Sequence, residues 1–272
     1  MTEILIPIIT MTALGFLFSL GLVFAYRKLR VYEDPKIEQV SEILPQANCG
    51  ACGYAGCRAF AEAVVKGEAA ADGCPVGGED VTARVAAALG VKAPEVIKKI
   101  ARLHCRGTHE AAKERGPYIG ISTCHAAHLI GGNKQCSFGC LHFGDCVLAC
   151  PFDALYMGDE GLPVVREDNC TACGKCVDAC PRNLFELHPF TQEIIVYCRS
   201  RDRGATSRKV CKNACIACGI CSRACPEAIV IENNLAVITD YKKIDPDKIP
   251  DIEKCPTAAI GRLHKEKEED EG

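Results

Sequence analysis

Tryptophan is absent from this sequence of 272 residues, methionine occurs three times, and all aromatic residues together make up 6%. That scarcity argues against one large core and for small, loop-rich units assembled around something other than bulky side chains. An excess of positive charge is also missing. Net charge is −3 and the pI about 6.2, so no basic field invites nucleic acid. There is no G-x-G-x-x-G or P-loop pattern, so NAD, FAD and ATP sites are not indicated. No nucleophile–base constellation is visible, and no catalytic side chain is expected. What the chain has in quantity is glycine, at 24 residues, and cysteine, at 21. Cysteine at that density means secreted disulfides or intracellular metal, and spacing plus topology must decide between them.

Topology is set by Ile4 to Tyr26, "ILIPIITMTALGFLFSLGLVFAY", an uncharged run. At about 1.5 Å per residue it can cross a hydrocarbon core of about 30 Å. Only Glu3 precedes it, whereas Arg27, Lys28 and Arg30 follow. A cleaved signal peptide would have basic residues before a shorter apolar region. A buried core helix would be unusually long and would leave the basic flank unexplained. The expectation is a single-pass anchor in the cytoplasmic membrane with the remaining domains in the cytoplasm. A reducing cytoplasm disfavours disulfides and leaves metal ligation.

The first cysteine group is Cys49, Cys52, Cys57 and Cys74, in "CGACGYAGC" and before Pro75. Gly50, Gly53 and Gly56 let the backbone curl so that thiolates converge. "RAFAEAVVKGEAAA", Arg58 to Ala71, should carry the chain away as a helix before its return. Zinc ribbons use two separated close pairs, so three cysteines in one loop plus a remote fourth fit a cubane better.

"CTACGKCVDACP", Cys170 to Pro181, is C-x2-C-x2-C-x3-C-P, the bacterial ferredoxin run. Three of its cysteines bind one [4Fe–4S] cluster and the fourth reaches the other. Upstream, "CSFGCLHFGDCVLACP" supplies Cys136, Cys140, Cys146 and Cys150, with Phe143 at the regular middle position and Cys136 as the expected substitute. Exchange of fourth ligands then groups Cys136, Cys140, Cys146 and Cys180, and separately Cys150, Cys170, Cys173 and Cys176. "CIACGICSRACP", Cys215 to Pro226, repeats the run, and Cys255 returns in "CPTAAI". Asp245, Lys248 and Asp251 stand where the companion's own cysteines would be. Cys215, Cys218, Cys221 and Cys255 should therefore share a cluster, and Cys225 has lost its own. This makes four clusters, at least three of them carried by the clearest spacings.

Five cysteines remain: Cys105, Cys124, Cys198, Cys211 and Cys225. "IARLHCRG" echoes "IIVYCRSR", and Cys211 precedes Cys215 by the same interval as Cys136 precedes Cys140, which suggests internal duplication. The leftovers could hold a fifth cluster, bind zinc as Cys105/His109 and Cys124/His128, or stay buried as free thiols. Gly204 to Ser207 shares four residues with flavin-attachment sequences, a match short enough to arise by chance.

The expected fold is α+β. A single N-terminal transmembrane helix (1–31) precedes a small helical Fe–S module (32–91) and a connector (92–131). Tandem ferredoxin-like units, each a ββ-hairpin with short helices, then occupy 132–190 and 191–262, and a charged tail ends the chain (263–272). "ALYMGDEGLPVV" and "AIVIENNLAVIT" are the hairpins, turning at Gly161 and at Asn233-Asn234.

The anchor, the Cys49–Cys74 module and the tandem ferredoxin motifs in this order resemble the B subunits of the Rnf ion-translocating electron transport complexes. The resemblance matches Cys49, Cys52, Cys57 and Cys74 and the eight cysteines from Cys136 to Cys180, of which Cys136 departs from the simplest spacing. It implies transfer of electrons from reduced soluble ferredoxin through [4Fe–4S] clusters to membrane partners that carry flavin and NAD chemistry. That transfer would be coupled to Na⁺ or H⁺ movement. The thiols near the membrane would then hold the exit cluster. The competing readings are a membrane-anchored zinc adaptor without redox function, and an iron–sulfur subunit of another membrane oxidoreductase.

Overall fold

The computed structural model describes residues 2–29 and 34–263. Arg30 of the basic flank and the charged tail from 264 onward lie outside the described residues.

The apolar run forms helix α1, Thr2–Leu29, with Arg27 and Lys28 in its last turn. Its stretch Ile8–Leu29 has a mean hydropathy of 2.2 and is long and apolar enough to cross a membrane. The hydroxyls of Thr12 and Ser19 donate to carbonyls one turn back, Ile8 and Gly15, at 2.8 Å each.

Next comes a three-helix module of α2 (Pro35–Ile43), α3 (Cys57–Val65) and α4 (Gly78–Leu89). Asp34 starts α2 by accepting the Lys36 N–H at 2.9 Å, with proline at the first helical position. Ile37, Val40, Leu44, Phe60, Val64 and Val85 form its core. The helix expected over Arg58–Ala71 stops at Val65. Gly67 takes a left-handed φ of 77°, and the Glu68 N–H closes back on the Ala63 carbonyl at 2.8 Å. The following "EAAA" is loop, capped off by that glycine.

The remainder contains strands β1 (Lys99–Leu103), β2 (Leu155–Met157), β3 (Pro163–Val165), β4 (Phe185–Pro189), β5 (Ile194–Val196), β6 (Ile229–Glu232), β7 (Leu235–Ile238) and β8 (Ile260–Arg262). Among them lie short helices α5 (Cys124–Leu129), α6 (Asp145–Leu148), α7 (Lys175–Asp178), α8 (Gly204–Val210), α9 (Ile220–Ala224) and α10 (Ile249–Ile252). The two expected hairpins form as β2–β3 and β6–β7. Asn233 and Asn234 both take positive φ, 48° and 63°, the combination a two-residue hairpin turn demands.

Each hairpin is accompanied by an outer antiparallel pair, β1 with β4 and β5 with β8. Both units therefore read strand, hairpin, strand. The segment expected as a connector, 92–131, is not one throughout, because β1 is a structural strand of the first unit and Leu103 lies opposite Phe185. In the second unit, Asp245, Lys248 and Asp251 fall in a short helical stretch that buries Ile249 and Ile252 in the same apolar cluster as Cys225. Hydrocarbon fills the region where this unit's second cluster would need ligands.

Candidate metal centres

In the helical module, Cys49, Cys52, Cys57 and Cys74 line one cavity together with Phe60. The Asn48 side-chain oxygen accepts the Cys57 N–H at 2.9 Å and pins the cysteine loop to the start of α3. A Cβ on Gly56 would stand 2.8 Å from that oxygen, so glycine is required there. Burial pushes the Cys74 thiol up, and backbone N–H groups of Gly77 and Val76 partly oppose this.

Three loops in the ferredoxin units share one backbone. Ala172 and Ala217 sit in the left-handed region (φ 55° and 54°) between the first two cysteines of their runs, and His142 (φ 67°) takes the same place after Cys140. Gly174, Gly219 and Gly144 follow, also left-handed, each starting the short helix that carries the third cysteine. Phe143 thus occupies the position of Cys173 and Cys218 in a ferredoxin loop that has kept its shape. The returning cysteines also agree. Ala154 N–H reaches Cys150 Sγ, and Leu184 N–H reaches Cys180 Sγ, both at 3.4 Å.

Cys215, Cys218, Cys221 and Cys255 line a second cavity, in which Cys218 is the exposed member. Cys150, Cys170 and Cys173 all lie close enough to Cys176 for their charges to raise its thiol, which burial chiefly pushes up to about 12. Cys140, Cys146 and Cys180 line a third cavity.

Cys136 does not join that last set. The fourth cysteine in the cavity is Cys124, and Cys136 lines a different cavity with Cys105, Cys198 and Cys211. Asp145, at the start of α6, accepts the N–H groups of Cys124 at 2.8 Å and His125 at 3.2 Å. Phe143 packs on Tyr118, 5.1 Å between ring centroids, in the segment that delivers Cys124. The fourth thiol beside Cys140, Cys146 and Cys180 therefore comes from α5, not from four residues upstream. Spacing could not reveal this; the only sequence signal was that some leftover cysteine had to serve.

A zinc site and a cubane differ in the sulfur spacing they require. One tetrahedral zinc, with sulfur at about 2.3 Å, would hold its sulfurs about 3.8 Å apart. Among the described residues, the single group of three or more ligand atoms mutually within 4.8 Å is His104, Glu186 and His188, which contains no cysteine. Cysteines that converge on a shared cavity without closing to zinc distances suit a cubane with one iron per thiolate. The C-x3-H pairs do not face a common point either. His109 packs edge-on against His142, and His128 is exposed while Cys124 is buried.

The histidine group is an ionic clasp. His104 Nδ1 donates to the Val196 carbonyl at 2.7 Å, and burial, with Arg199 nearby, pushes this histidine down to about 4. The Glu186 carboxylate is held at about 2 by His188 and by its bond to Arg199. Arg199 already neutralises that carboxylate, so the group joins β4 to the stretch beyond β5.

Family models match the cysteine-rich segments of the chain. An "Fe-S cluster" family model matches residues 44–76, and "4Fe-4S dicluster domain" models match 135–184 and 169–230. The chain is 45% identical over 266 residues to the B subunit of the Na(+)-translocating ferredoxin:NAD(+) oxidoreductase complex of Acetobacterium woodii, covering 96% of this chain and 78% of that protein. It is 39% identical to the proton-translocating counterpart of Clostridium ljungdahlii, covering 96% of this chain and 93% of that protein. The B subunit of the ion-translocating oxidoreductase complex of Methanosarcina acetivorans is 39% identical over 78% of this chain and 81% of its own length. With iron–sulfur loops of this kind and relatives matched over most of their length, the chain belongs to the family of B subunits of the ion-translocating oxidoreductase, or Rnf, complexes.

Proposed function

We propose that this chain is the iron–sulfur electron-transfer subunit of an ion-translocating ferredoxin:NAD⁺ oxidoreductase, taking electrons from reduced soluble ferredoxin and handing them to membrane partners. The observation that carries this reading is the recurrence of one ferredoxin loop backbone at Cys140, Cys170 and Cys215, each completed by a cysteine returning from elsewhere. When bound, [4Fe–4S] clusters supply one-electron steps at potentials spanning about −700 to +450 mV across proteins.

The residues of this chain hold those clusters and set their surroundings. Four sets are proposed: Cys49, Cys52, Cys57 and Cys74; Cys124, Cys140, Cys146 and Cys180; Cys150, Cys170, Cys173 and Cys176; and Cys215, Cys218, Cys221 and Cys255. Apolar walls such as Phe60, Leu141 and Ile260 exclude water, and N–H groups aimed at sulfur favour the thiolates. Cys218, exposed at the surface, offers an edge at which a diffusing donor can exchange an electron.

Helix α1 is the anchor in this reading, single-pass, with Arg27 and Lys28 on the cytoplasmic side. Tethering raises the effective concentration of the clusters at the membrane partner, and the Cys49 module, next in sequence, holds the exit cluster. The family includes sodium- and proton-translocating members by name, and coupling to Na⁺ or H⁺ is part of the proposal.

The test is Cys173→Ala in the intact complex in membrane vesicles. NAD⁺ reduction driven by reduced ferredoxin should fall to background while the complex still assembles. An unchanged rate would overturn the proposal.

A further inference from the structure

We infer that Cys105, Cys136, Cys198 and Cys211 form a fifth [4Fe–4S] site at the seam of the two ferredoxin units, each unit supplying two ligands. The inference rests on the cluster-bearing reading above and adds a site to it.

The four residues are buried and line one cavity, as the other cysteine sets do. The Sγ atoms of Cys105 and Cys211 both lie within 4 Å of where a Gly107 Cβ would stand, and those of Cys105 and Cys136 stand likewise around Gly139. Two glycines thus leave open the space that side chains would otherwise fill.

The site has internal two-fold character. Cys105 follows β1 by two residues and Cys198 follows β5 by two. Cys136 and Cys211 each precede a ferredoxin run by four residues. The hydrogen bonds repeat as well. Cys105 Sγ accepts from Gly107 N–H at 3.3 Å and Cys140 N–H at 3.4 Å, while Cys198 Sγ accepts from Ser200 N–H at 3.4 Å and Cys215 N–H at 3.3 Å. A cubane's four irons stand at the corners of a tetrahedron, which has two-fold axes, so two equivalent cysteine pairs are a matching ligand set.

The seam holds the pairs in place. Arg106 N–H donates to the Tyr197 carbonyl at 3.2 Å, Asn213 Nδ2 donates to the Arg106 carbonyl at 2.8 Å, and the Arg106 guanidinium lies 3.9 Å over the Tyr197 ring. An independent observation points to negative charge here. Lys134 is completely buried, and its ammonium donates only to the carbonyls of Gly107 (3.3 Å) and Thr108 (3.4 Å) and meets His142. Among the described residues no carboxylate is bonded to it. A buried cation needs a nearby anion, and Lys134 donates to the carbonyl of Gly107, the residue beside which the Cys105 and Cys211 sulfurs stand. A cluster bound by four thiolates supplies that anion.

The place of the site gives it a purpose. Backbone N–H groups of Cys140 and Cys215, ligands of the two flanking sets, donate directly to its sulfurs. A cluster held there would stand between the set at Cys215 in the second unit and the sets in the first, where it could pass one electron at a time with no bond made or broken. Five sets of four then account for every cysteine except Cys225.

The experiment counts iron, acid-labile sulfide and zinc in the full chain purified without oxygen. Five cubanes require about 20 iron and about 20 sulfide per molecule. The double variant Cys198→Ala/Cys211→Ala should hold about 16, and Cys225→Ala should keep about 20. About 16 iron in the wild type, or an undiminished count in a soluble double variant, would overturn the fifth site and leave the four-cluster reading standing. The wild-type count decides the matter even if the double variant fails to fold. Zinc in place of iron would overturn the four-cluster reading and the fifth site with it.

Discussion

Asp145 illustrates how much one side chain decides. Its carboxylate receives two backbone N–H groups from the start of α5, and these hold it below the usual carboxylate range despite the opposing effect of burial. Hydrogen bonds to a charged acceptor contribute about 1.5–3 kcal/mol, and here they fix where Cys124 points. Asp145→Ala is expected to lower the iron content by up to about four atoms, the complement of one cubane. Iron analysis of the anaerobic variant checks this, and full retention would detach Asp145 from the site. Cysteines sharing a tight loop were legible from spacing alone, because loop geometry is local: Cys49 to Cys57, Cys170 to Cys176 and Cys215 to Cys221. Cys124 was not, because a tertiary hydrogen bond delivers it and no spacing rule describes that. Cys136 was the nearest candidate along the chain, and the structure places it elsewhere.

Among the secondary-structure elements, the hairpins could be read from alternating apolar residues and the asparagine pair that turns one of them. The outer pairs β1–β4 and β5–β8 could not, because their partners lie far apart in sequence. The echo of "IARLHC" in "IIVYC" was their only trace. The end of α3 depended on Gly67, whose left-handed conformation stops a helix that the alanine-rich sequence beyond it would otherwise continue. Phe60, buried in that helix against the cysteine loop, is expected to cost about 3–5 kcal/mol when changed to alanine. A lowered unfolding temperature with iron lost from the helical module is the outcome to look for. The clasp between the ferredoxin units makes a pH prediction. Glu186 has a folded pKa of about 2 against an ordinary 4.5, so its stabilisation is present above pH 4.5 and is lost as pH falls toward 2. Near neutrality Glu186→Gln should melt below the wild type, modestly because the side chain is half exposed. The gap should close through that acidic window. A gap that stays constant would mean the carboxylate contributes through shape and not charge.

For the whole molecule, the contrast is between a helical module with an aliphatic core and ferredoxin units whose buried residues are to a large extent cysteine and alanine. Units of that kind gain much of their folding free energy from the metal they bind. Removing iron with a chelator should therefore unfold residues 99–262 more completely than the module at 35–89, as hydrogen exchange would show. Equal protection of the two regions after iron removal would contradict this. The central claim is that the chain accepts electrons from ferredoxin through clusters it holds itself. The most direct measurement mixes the anaerobically purified, iron-loaded chain with reduced ferredoxin and follows the visible absorbance and the reduced-cluster spin signal. The account predicts prompt bleaching and uptake of more than one electron per molecule. A chain that stays oxidised beside excess reduced ferredoxin, or has no visible absorbance to lose, would contradict it.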